Sequence, residues 1–410
     1  MTTDNQHIPS GYKPSPLGII PEDWEVKRLG EVCINNGDYG LNAPATDYDE
    51  NLPTYLRITD IDDDGNFNQS DKKSVNSPLS ENYYLKDGDI VFARTGATVG
   101  KTYLYDKNDG ELVYAGFLIK FTPDKERILP YYLKSQTNTR EYANWVSITS
   151  QRSGQPGINA AEYCSYKFAL PPLAEQKRIC DLLSLWDTAI AKQTALIEKL
   201  TLRKRGLMQQ LLTGKKRLKG FEGEWKRIKA GEIFKSISVK GNGSEVLLSA
   251  TQEHGVIPRD QLEGRVTMPT GDTNSFKLVE VGDFVISLRS FQGGLEYSEH
   301  RGIVSPAYTV LKPIVEIDKP FYRYYFKSAE FIGHLAIAVI GIRDGKQISY
   351  EDFCFVKIPY PNIEEQKAIS AVLLQADKEI EIQKQKLAAM QEQKKGLMQV
   401  LLTGKKRIKK

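Results

Sequence analysis

One stretch of the sequence occurs twice, and it decides the fold. Residues 171–218 read PPLAEQKRICDLLSLWDTAIAKQTALIEKLTLRKRGLMQQLLTGKKRL, and residues 361–408 read PNIEEQKAISAVLLQADKEIEIQKQKLAAMQEQKKGLMQVLLTGKKRI. Aligned without a gap at an offset of 190 residues, the two copies share 21 identities in 48 positions. A repeat at a fixed offset indicates that the chain is built from two equivalent halves.

Each copy predicts a long helix with a narrow apolar seam. After its opening residues neither copy contains a proline, and apolar residues recur in steps of four and three, the 3.5-residue period of a coiled coil. The predicted seam residues are Ile179, Leu183, Trp186, Ile190, Ile197, Leu200, Leu207 and Leu211 in the first copy, and Ile369, Leu373, Ala376, Ile380, Leu387, Met390, Leu397 and Leu401 in the second. Two polar residues interrupt each seam at matching places and would fix register or direction: Gln193 and Lys204, Gln383 and Lys394. A parallel and an antiparallel pair both satisfy this pattern.

The segments before the two copies have diverged and read as mixed α/β domains with more strand than helix. Residues 112–121 and 284–288 predict strands, and residues 131–143 and 321–336 predict helices. The expected fold class is α+β in four segments. These are a first domain (1–170), a spacer helix (171–218), a second domain (219–360) and a second spacer helix (361–410).

Composition excludes several classes of protein. With 410 residues, 40% of them hydrophobic and 26% charged, the chain can bury two or three cores and is not a disordered tail. The four cysteines are scattered without CxxC spacing, which excludes a zinc ribbon or a disulfide scaffold and indicates a reducing compartment. The N-terminus lacks the apolar core of a signal peptide, and no apolar run is long enough to span a membrane. We therefore expect a soluble, cytoplasmic protein.

The net charge of +4 conceals a segregation of charge. Residues 199–221 contain eight basic residues and no acidic one, and residues 393–410 contain seven basic residues and no acidic one. Both clusters lie at predicted helix C-termini, where the helix dipole alone favours cations. Their number exceeds what capping needs, so contact with phosphate or an acidic partner is a second interpretation.

Glycine-rich loops carry residue types that read DNA bases. Residues 96–102, GATVGKT, resemble a P-loop but have three residues between the glycines instead of four, and residues 103–110 read as strand and turn. Arginine, glutamine and threonine read base edges, and glycines let the backbone approach phosphate. The first pair of loops contributes Arg94, Thr95, Thr98 and Lys101 in the first domain and Arg289, Ser290 and Gln292 in the second. The loops before the spacer helices contribute Gln151, Arg152 and Gln155, and Arg343, Lys346 and Gln347. A structural turn explains each residue about as well.

No catalytic or metal site is predicted. The stretch EDWEVK (22–27) resembles a nuclease D…ExK motif, but its acidic residues are too close together, and Trp24 recurs at Trp225 without them. Trp24 is therefore interpreted as a structural anchor. The four histidines show no ligand spacing.

Two divergent domains, each followed by a helix that opens with P-x-x-x-E-Q and closes with L-M-Q-x-L-L-T-G-K-K-R, resemble the specificity subunit of a Type I restriction–modification system. The opening GYKPSPLGIIPEDWEVKRLGEV (11–32) and the GDIVFARTG segment (88–96) also resemble this family. The resemblance implies a non-catalytic subunit whose two target recognition domains each read half of a bipartite, asymmetric DNA site. It also implies that the helices pair antiparallel as a spacer around a pseudo-two-fold axis and dock the modification subunits.

The resemblance places all chemistry on partner subunits. Two modification subunits would use S-adenosylmethionine for adenine methylation, and restriction subunits would use ATP and Mg²⁺ for translocation and cleavage of double-stranded DNA. The sequence contains no D/N-P-P-Y/F motif and no glycine-rich methyl-donor loop. Two alternatives remain: an enzyme, either a fused methyltransferase or a nuclease, and a coiled-coil scaffold with no role in DNA binding.

Overall fold

The computed structural model describes residues 8–262, 273–288, 290–338 and 348–408. The chain forms two compact units, one of residues 1–192 with 387–410 and one of residues 193–386. The division passes through both long helices. Each unit therefore contains one mixed domain, the first part of the helix that follows this domain, and the last part of the other helix.

The elements of the first domain are mostly short strands. They are β1 (Tyr12–Ser15), β2 (Gly18–Pro21), β3 (Glu25–Arg28), β4 (Asp38–Tyr39), β5 (Thr46–Asp47), β6 (Thr54–Leu56), β7 (Lys73–Ser74), β8 (Ile90–Ala93), β9 (Thr102–Leu104), β10 (Leu112–Tyr114), β11 (Leu118–Phe121), α1 (Pro130–Gln136), α2 (Arg140–Thr149), α3 (Ala160–Cys164) and β12 (Lys167–Leu170). The long helix α4 (Leu173–Leu211) follows directly.

The strand predicted for residues 112–121 is two strands in the structure. β10 pairs with β6 in a sheet of order β10-β6-β7-β5, whereas β11 lies in a sheet of order β4-β11-β8-β9. Residues 115–117 form the turn between them, and the N–H of Leu118 donates to the carbonyl of Ala115 at 2.8 Å. The prediction of one strand was wrong because the chain changes sheets inside an apolar run, which periodicity cannot detect.

The helix predicted for residues 131–143 is likewise two helices, α1 and α2. The hydroxyls of Thr137 and Thr139 donate to the carbonyls of Lys134 and Gln136, which ends α1. The Thr139 hydroxyl also accepts from the N–H of Tyr142 at 3.2 Å and so caps α2.

The second domain is likewise built mostly of short strands with a few short helices. Its elements are β13 (Lys226–Lys229), α5 (Ala230–Ile233), β14 (Phe234–Ile237), β15 (Leu248–Thr251), β16 (Gly255–Pro258), β17 (Lys277–Val279), β18 (Phe284–Ile286), α6 (Ser290–Gly293), β19 (Glu296–Tyr297), β20 (Gly302–Val304), β21 (Thr309–Pro313), α7 (Lys319–Tyr325), α8 (Ala329–Ala338), α9 (Tyr350–Phe355) and β22 (Lys357–Tyr360). The helix α10 (Ile363–Leu401) follows.

In each domain the last strand pairs with the first strand after the domain's tryptophan. In the first domain β12 pairs antiparallel with β3, and in the second β22 pairs antiparallel with β13. The second domain also has a sheet of order β14-β21-β18-β19. The predicted helix at residues 321–336 is again two helices, α7 and α8. The Ser328 hydroxyl accepts from the N–H of Phe331 at 3.2 Å, at the start of α8.

The long helices agree with the predicted pattern. Each has 39 residues, and every predicted seam residue is buried or part-buried, including Gln193, Lys204, Gln383 and Lys394. Gly214 and Gly404, predicted to end the helices, both have φ of +73°, which only glycine adopts without strain. None of the helices among the described residues is long and apolar enough to cross a membrane.

Candidate nucleic-acid interface

Two loops that carry predicted DNA-reading residues lie side by side in the first unit. Thr95 and Gly157 form an antiparallel bridge, and the N–H of Gly96 donates to the carbonyl of Pro156 at 3.0 Å. The segment 96–102 forms one turn of 3-10 helix and leads into β9, which pairs antiparallel with β8. It is therefore a hairpin turn and not a phosphate-binding loop, which requires a helix after the glycines.

Arg94 is held against an aromatic ring at this junction. Its guanidinium lies over the ring of Tyr39, 4.8 Å from the centroid. The Tyr39 hydroxyl accepts from the N–H of Ala160 at 3.2 Å. The backbone of Arg94 donates to Phe117 at 3.0 Å and accepts from Ile158 at 2.8 Å. In the part of the chain that the structure describes, no carboxylate lies within salt-bridge distance of Arg94, so its charge is available to a ligand.

The other two predicted cations of this unit have ion-pair partners. Lys101 Nζ lies 2.6 Å from a carboxylate oxygen of Asp63. Arg152 Nη2 lies 2.6 Å from both carboxylate oxygens of Glu162, while its Nη1 donates to the carbonyls of Thr149 and Gln151. Contact of either residue with DNA stays a prediction, and it requires these ion pairs to be exchanged for phosphate or base contacts.

The uncharged predicted residues differ in how they are used. The hydroxyl of Thr95 donates to Pro156 and that of Thr98 to Thr95, both at 3.4 Å, so both lie near backbone carbonyls of the loops. Gln151 and Gln155 are exposed. A Cβ on Gly96 would lie 2.9 Å from Gln155 Nε2, which shows that this side chain covers the hairpin turn.

In the second unit the structure describes only two of the predicted DNA-contacting residues. Ser290 is buried, and its hydroxyl oxygen accepts from the N–H of Ser287 at 2.8 Å, so it holds the turn that begins α6. Gln292 is exposed on the same short helix. The other predicted residues of this unit lie outside the described residues: Arg289, Arg343, Lys346 and Gln347.

A buried carboxylate holds the start of each long helix. In the first unit Glu175 accepts from the indole Nε1 of Trp24 at 3.1 Å and from Arg407 Nη2 at 2.5 Å. Arg407 also bonds Asp23 at 2.8 Å, and this contact holds the pKa of Asp23 below its ordinary value. Trp24 is completely buried, as expected for a structural anchor. Arg407 belongs to the basic cluster of residues 393–410, but its guanidinium is already paired with Glu175 and Asp23.

The second unit repeats this arrangement with equivalent residues. Glu365 accepts from Trp225 Nε1 at 2.9 Å and from Arg217 at 2.6 and 2.7 Å. Arg217 is offset by 190 residues from Arg407, as Glu175 is from Glu365. In each unit the start of one helix contacts residues beyond the end of the other, so the helices pair antiparallel.

Polar contacts within the helix pairs repeat as well, and of the residues that make them only the two lysines were predicted from the sequence. In the first unit Asp187 bonds Lys394 and the hydroxyl of Tyr131. In the second unit Asp377 bonds Lys204 and, at 2.6 Å, the hydroxyl of Tyr324. Asp187 and Asp377 are identical residues at the 190-residue offset, which was a signal for their role.

A cavity of about 270 Å³ in the first unit contains a buried lysine. Lys134 is 9% exposed, and the described residues offer its ammonium one hydrogen-bond acceptor, Asn138 Oδ1 at 3.4 Å. Burial lowers the pKa of Lys134 to about 8. Across the described ranges there is no group of His, Cys, Asp and Glu that could hold a metal ion.

Comparison with known proteins gives one family. The family model of the Type I restriction modification DNA specificity domain matches residues 21–202 and again 222–392. A putative type I restriction enzyme MjaX specificity subunit of Methanocaldococcus jannaschii is 29% identical, over 97% of both chains. The MjaVIII specificity subunit of the same organism is 27% identical, over 95% of this chain and 94% of that one.

Solved structures share the fold. A chain described under "complex assembly and conformational transition of the type I R-M system" has a TM-score of 0.60 and 20% identity, over 94% of this chain and 99% of that one. The S subunit of a Type I system from M. genitalium has a TM-score of 0.51 and 14% identity, over 92% and 96% of the two chains. With most of its length matched by two copies of one family, the chain belongs to the Type I restriction–modification DNA specificity domain family.

Proposed function

We propose that this chain is the DNA-specificity subunit of a Type I restriction–modification complex. Each mixed domain reads one half of a bipartite, asymmetric DNA site, and the chain itself catalyses no reaction. The proposal is carried by a contrast between the contacts at the helix starts, which are the same in both units, and the loops of the two domains, which differ. The Trp–Glu–Arg contacts recur residue for residue in both units, whereas the loops at Arg94 and Ser290 differ in sequence and structure.

The helices are proposed to set the distance between the half-sites and to dock two modification subunits. The exposed faces of α4 and α10 carry many charged and polar side chains outside the seam. Restriction subunits complete the proposed complex on double-stranded DNA. S-adenosylmethionine, ATP and Mg²⁺ belong to those partners in this proposal, and no residue of this chain is assigned to them.

Domain exchange tests the proposal. Residues 15–170 are replaced by the first domain of another family member that has a tryptophan at the position of Trp24, so that the contact with Glu175 is kept. The hybrid is combined with the modification subunits, and adenine methylation is mapped across a host genome. We expect one half-site to change and the other to stay. The matched exchange of residues 220–360 should change only the other half-site.

Three results would contradict this proposal. Changes in both half-sites, or in neither, would show that the domains are not independent readers. Binding of a methyl donor by the isolated chain would favour the alternative of a fused methyltransferase. A reconstituted complex that binds no DNA would favour the scaffold alternative.

A further inference from the structure

Phe117 is an exposed aromatic residue on a rigid turn. Its side chain is 58% exposed in the turn between β10 and β11. The backbone around it is held by hydrogen bonds: Gly116 donates to Leu41 at 2.7 Å, Leu118 donates to Ala115 at 2.8 Å, and the Phe117 carbonyl accepts from Arg94 at 3.0 Å. The ring is thus presented to a ligand by a backbone that is already ordered, which lowers the entropic cost of binding.

The neighbours of Phe117 give this surface a positive charge. Leu118 pairs with Ala93 at the end of the antiparallel strands, and one residue beyond this pair the N–H of Arg94 donates to the carbonyl of Phe117 at 3.0 Å, so the two residues are neighbours. The guanidinium of Arg94 lies on the ring of Tyr39, which is itself 42% exposed. Since no carboxylate among the described residues pairs with Arg94, the surface formed by Tyr39, Arg94 and Phe117 combines a cation without an acidic partner and exposed aromatic side chains. We call it the Phe117 surface.

The chemistry of this surface fits the edge of DNA bases. An arginine held in one plane donates two hydrogen bonds to a guanine, and the apolar group that base edges offer in the major groove is the C5 methyl of thymine. Residues that face each other across antiparallel strands have Cβ atoms about 5 Å apart, and successive base pairs are about 3.4 Å apart. Arg94 and Phe117 can therefore contact neighbouring base pairs.

We propose that Phe117 is a specificity-determining residue that contacts a thymine methyl, at the base pair next to the one that Arg94 contacts. This inference rests on the proposed function, because it assigns one base contact to the first domain of a DNA-specificity subunit. Phe117 is not among the residues predicted from the sequence, because it lies in the middle of an apolar run that reads as one strand.

Replacing thymine by uracil removes only the methyl group and therefore tests the contact. The chain is combined with its modification subunits, and methylation rates are measured on duplexes in which each thymine of the first half-site, on either strand, is replaced singly by uracil. For the unmodified chain we expect one position to lose about fourfold, the value of one buried methyl group. With Phe117→Ala, thymine and uracil at this position should be methylated equally fast, whereas Phe117→Leu should keep most of the difference.

Phe355→Ala is the matched control, since Phe355 is 70% exposed in the second unit and should leave the thymine-to-uracil ratio unchanged. A ratio that survives Phe117→Ala overturns the inference, as does a first half-site without any A·T pair. So does a uniform loss on all duplexes, which would mean that the ring inserts between base pairs. If the unmodified complex shows no sequence preference at all, the proposed function fails first, so the two failures are distinguishable.

Discussion

Glu365 and Glu175 are buried carboxylates whose partners are a tryptophan and an arginine. Removing one partner of a buried ion pair leaves the other without compensation and costs about 3 kcal/mol. We expect Glu365→Ala to lower the free energy of unfolding by about this amount. Glu175→Ala should cost less, because the side chain of Arg407 is 36% exposed and that of Arg217 only 20%. Urea unfolding of the whole chain measures both.

Glu364 provides the matched control, because its side chain is 71% exposed beside Glu365 in the same helical turn. Glu364→Ala should change the free energy of unfolding by less than about 0.5 kcal/mol. An equal loss at Glu364 and Glu365 would show that a negative charge near the helix start matters, and not the buried network.

Lys134 gives a prediction on pH. Its pKa is about 8 in the folded chain and 10.5 ordinarily, because burial disfavours the ammonium. Between pH 8 and pH 10.5 the unfolded chain therefore binds more protons than the folded chain. The destabilisation of the folded state by the buried ammonium is fully present below pH 8 and disappears as the pH rises to 10.5. Lys134→Met, which keeps the shape without the charge, should be more stable at pH 7 by about 2–3 kcal/mol. This advantage should shrink towards pH 10.

Thermal unfolding of both proteins at pH 7 and pH 10 measures this convergence. Lys107→Met is the control, since Lys107 is 75% exposed and should show no such change. A constant difference between Lys134→Met and the unmodified chain at both pH values would mean that the ammonium of Lys134 is not destabilising.

Repetition in the sequence identified some of these residues and not others. Trp24 was recognised as an anchor because it recurs at Trp225, and both donate to a buried glutamate. Arg407 looked available for phosphate, because a basic cluster does not reveal which of its members has an acidic partner far along the chain. For the same reason Arg94 and Arg152 were indistinguishable until their neighbours were known.

At the scale of elements, the polar layer of the helix pair gives the next prediction. In the second unit Gln193 Nε2 donates to the side-chain oxygen of Gln383 at 2.8 Å and to its carbonyl at 3.1 Å. Gln193→Leu alone leaves the side-chain oxygen of Gln383 without its hydrogen-bond donor and should destabilise the chain by about 1–3 kcal/mol. The double variant with Gln383→Leu should recover this loss, since both polar groups are then absent.

Urea unfolding of the two single variants and the double variant forms a double-mutant cycle. Losses that simply add would contradict a direct interaction between the two glutamines. Replacing Lys192, which is exposed one residue earlier, by leucine is the control and should not interact with Gln383→Leu.

Long elements could be predicted from the sequence and short ones could not. The two long helices were predictable because a 3.5-residue period persists over many turns, and they begin at Leu173 and Ile363, two residues inside the predicted spacer segments. Side-chain hydroxyls such as those of Thr137 and Thr139 end a helix without changing its apolar pattern, so α1 and α2 read as one. The direction of helix pairing also depends on contacts far apart in sequence, such as Arg407 with Glu175.

At the scale of the whole molecule, the compact units do not follow the order of the chain. Each unit takes the end of one helix from the other half of the sequence. The repeat could be read from the sequence as two equivalent halves, but a linear alignment cannot show that equivalent segments are shared between units. The predicted division into four consecutive segments therefore describes the order of the elements along the chain and not the compact units. The boundaries of these segments stay a prediction.

Gly404 and Gly214 are packed against the anchor tryptophans. A Cβ on Gly404 would lie 3.3 Å from the ring of Trp24, and one on Gly214 would lie 3.1 Å from the ring of Trp225. Ten residues of chain connect Gly214 to Trp225, whereas Gly404 and Trp24 meet from remote parts of the sequence and make the same contact. Covalent continuity at this joint is thus dispensable for its packing. We therefore expect a chain that is cut between Gly214 and Trp225 to keep this contact.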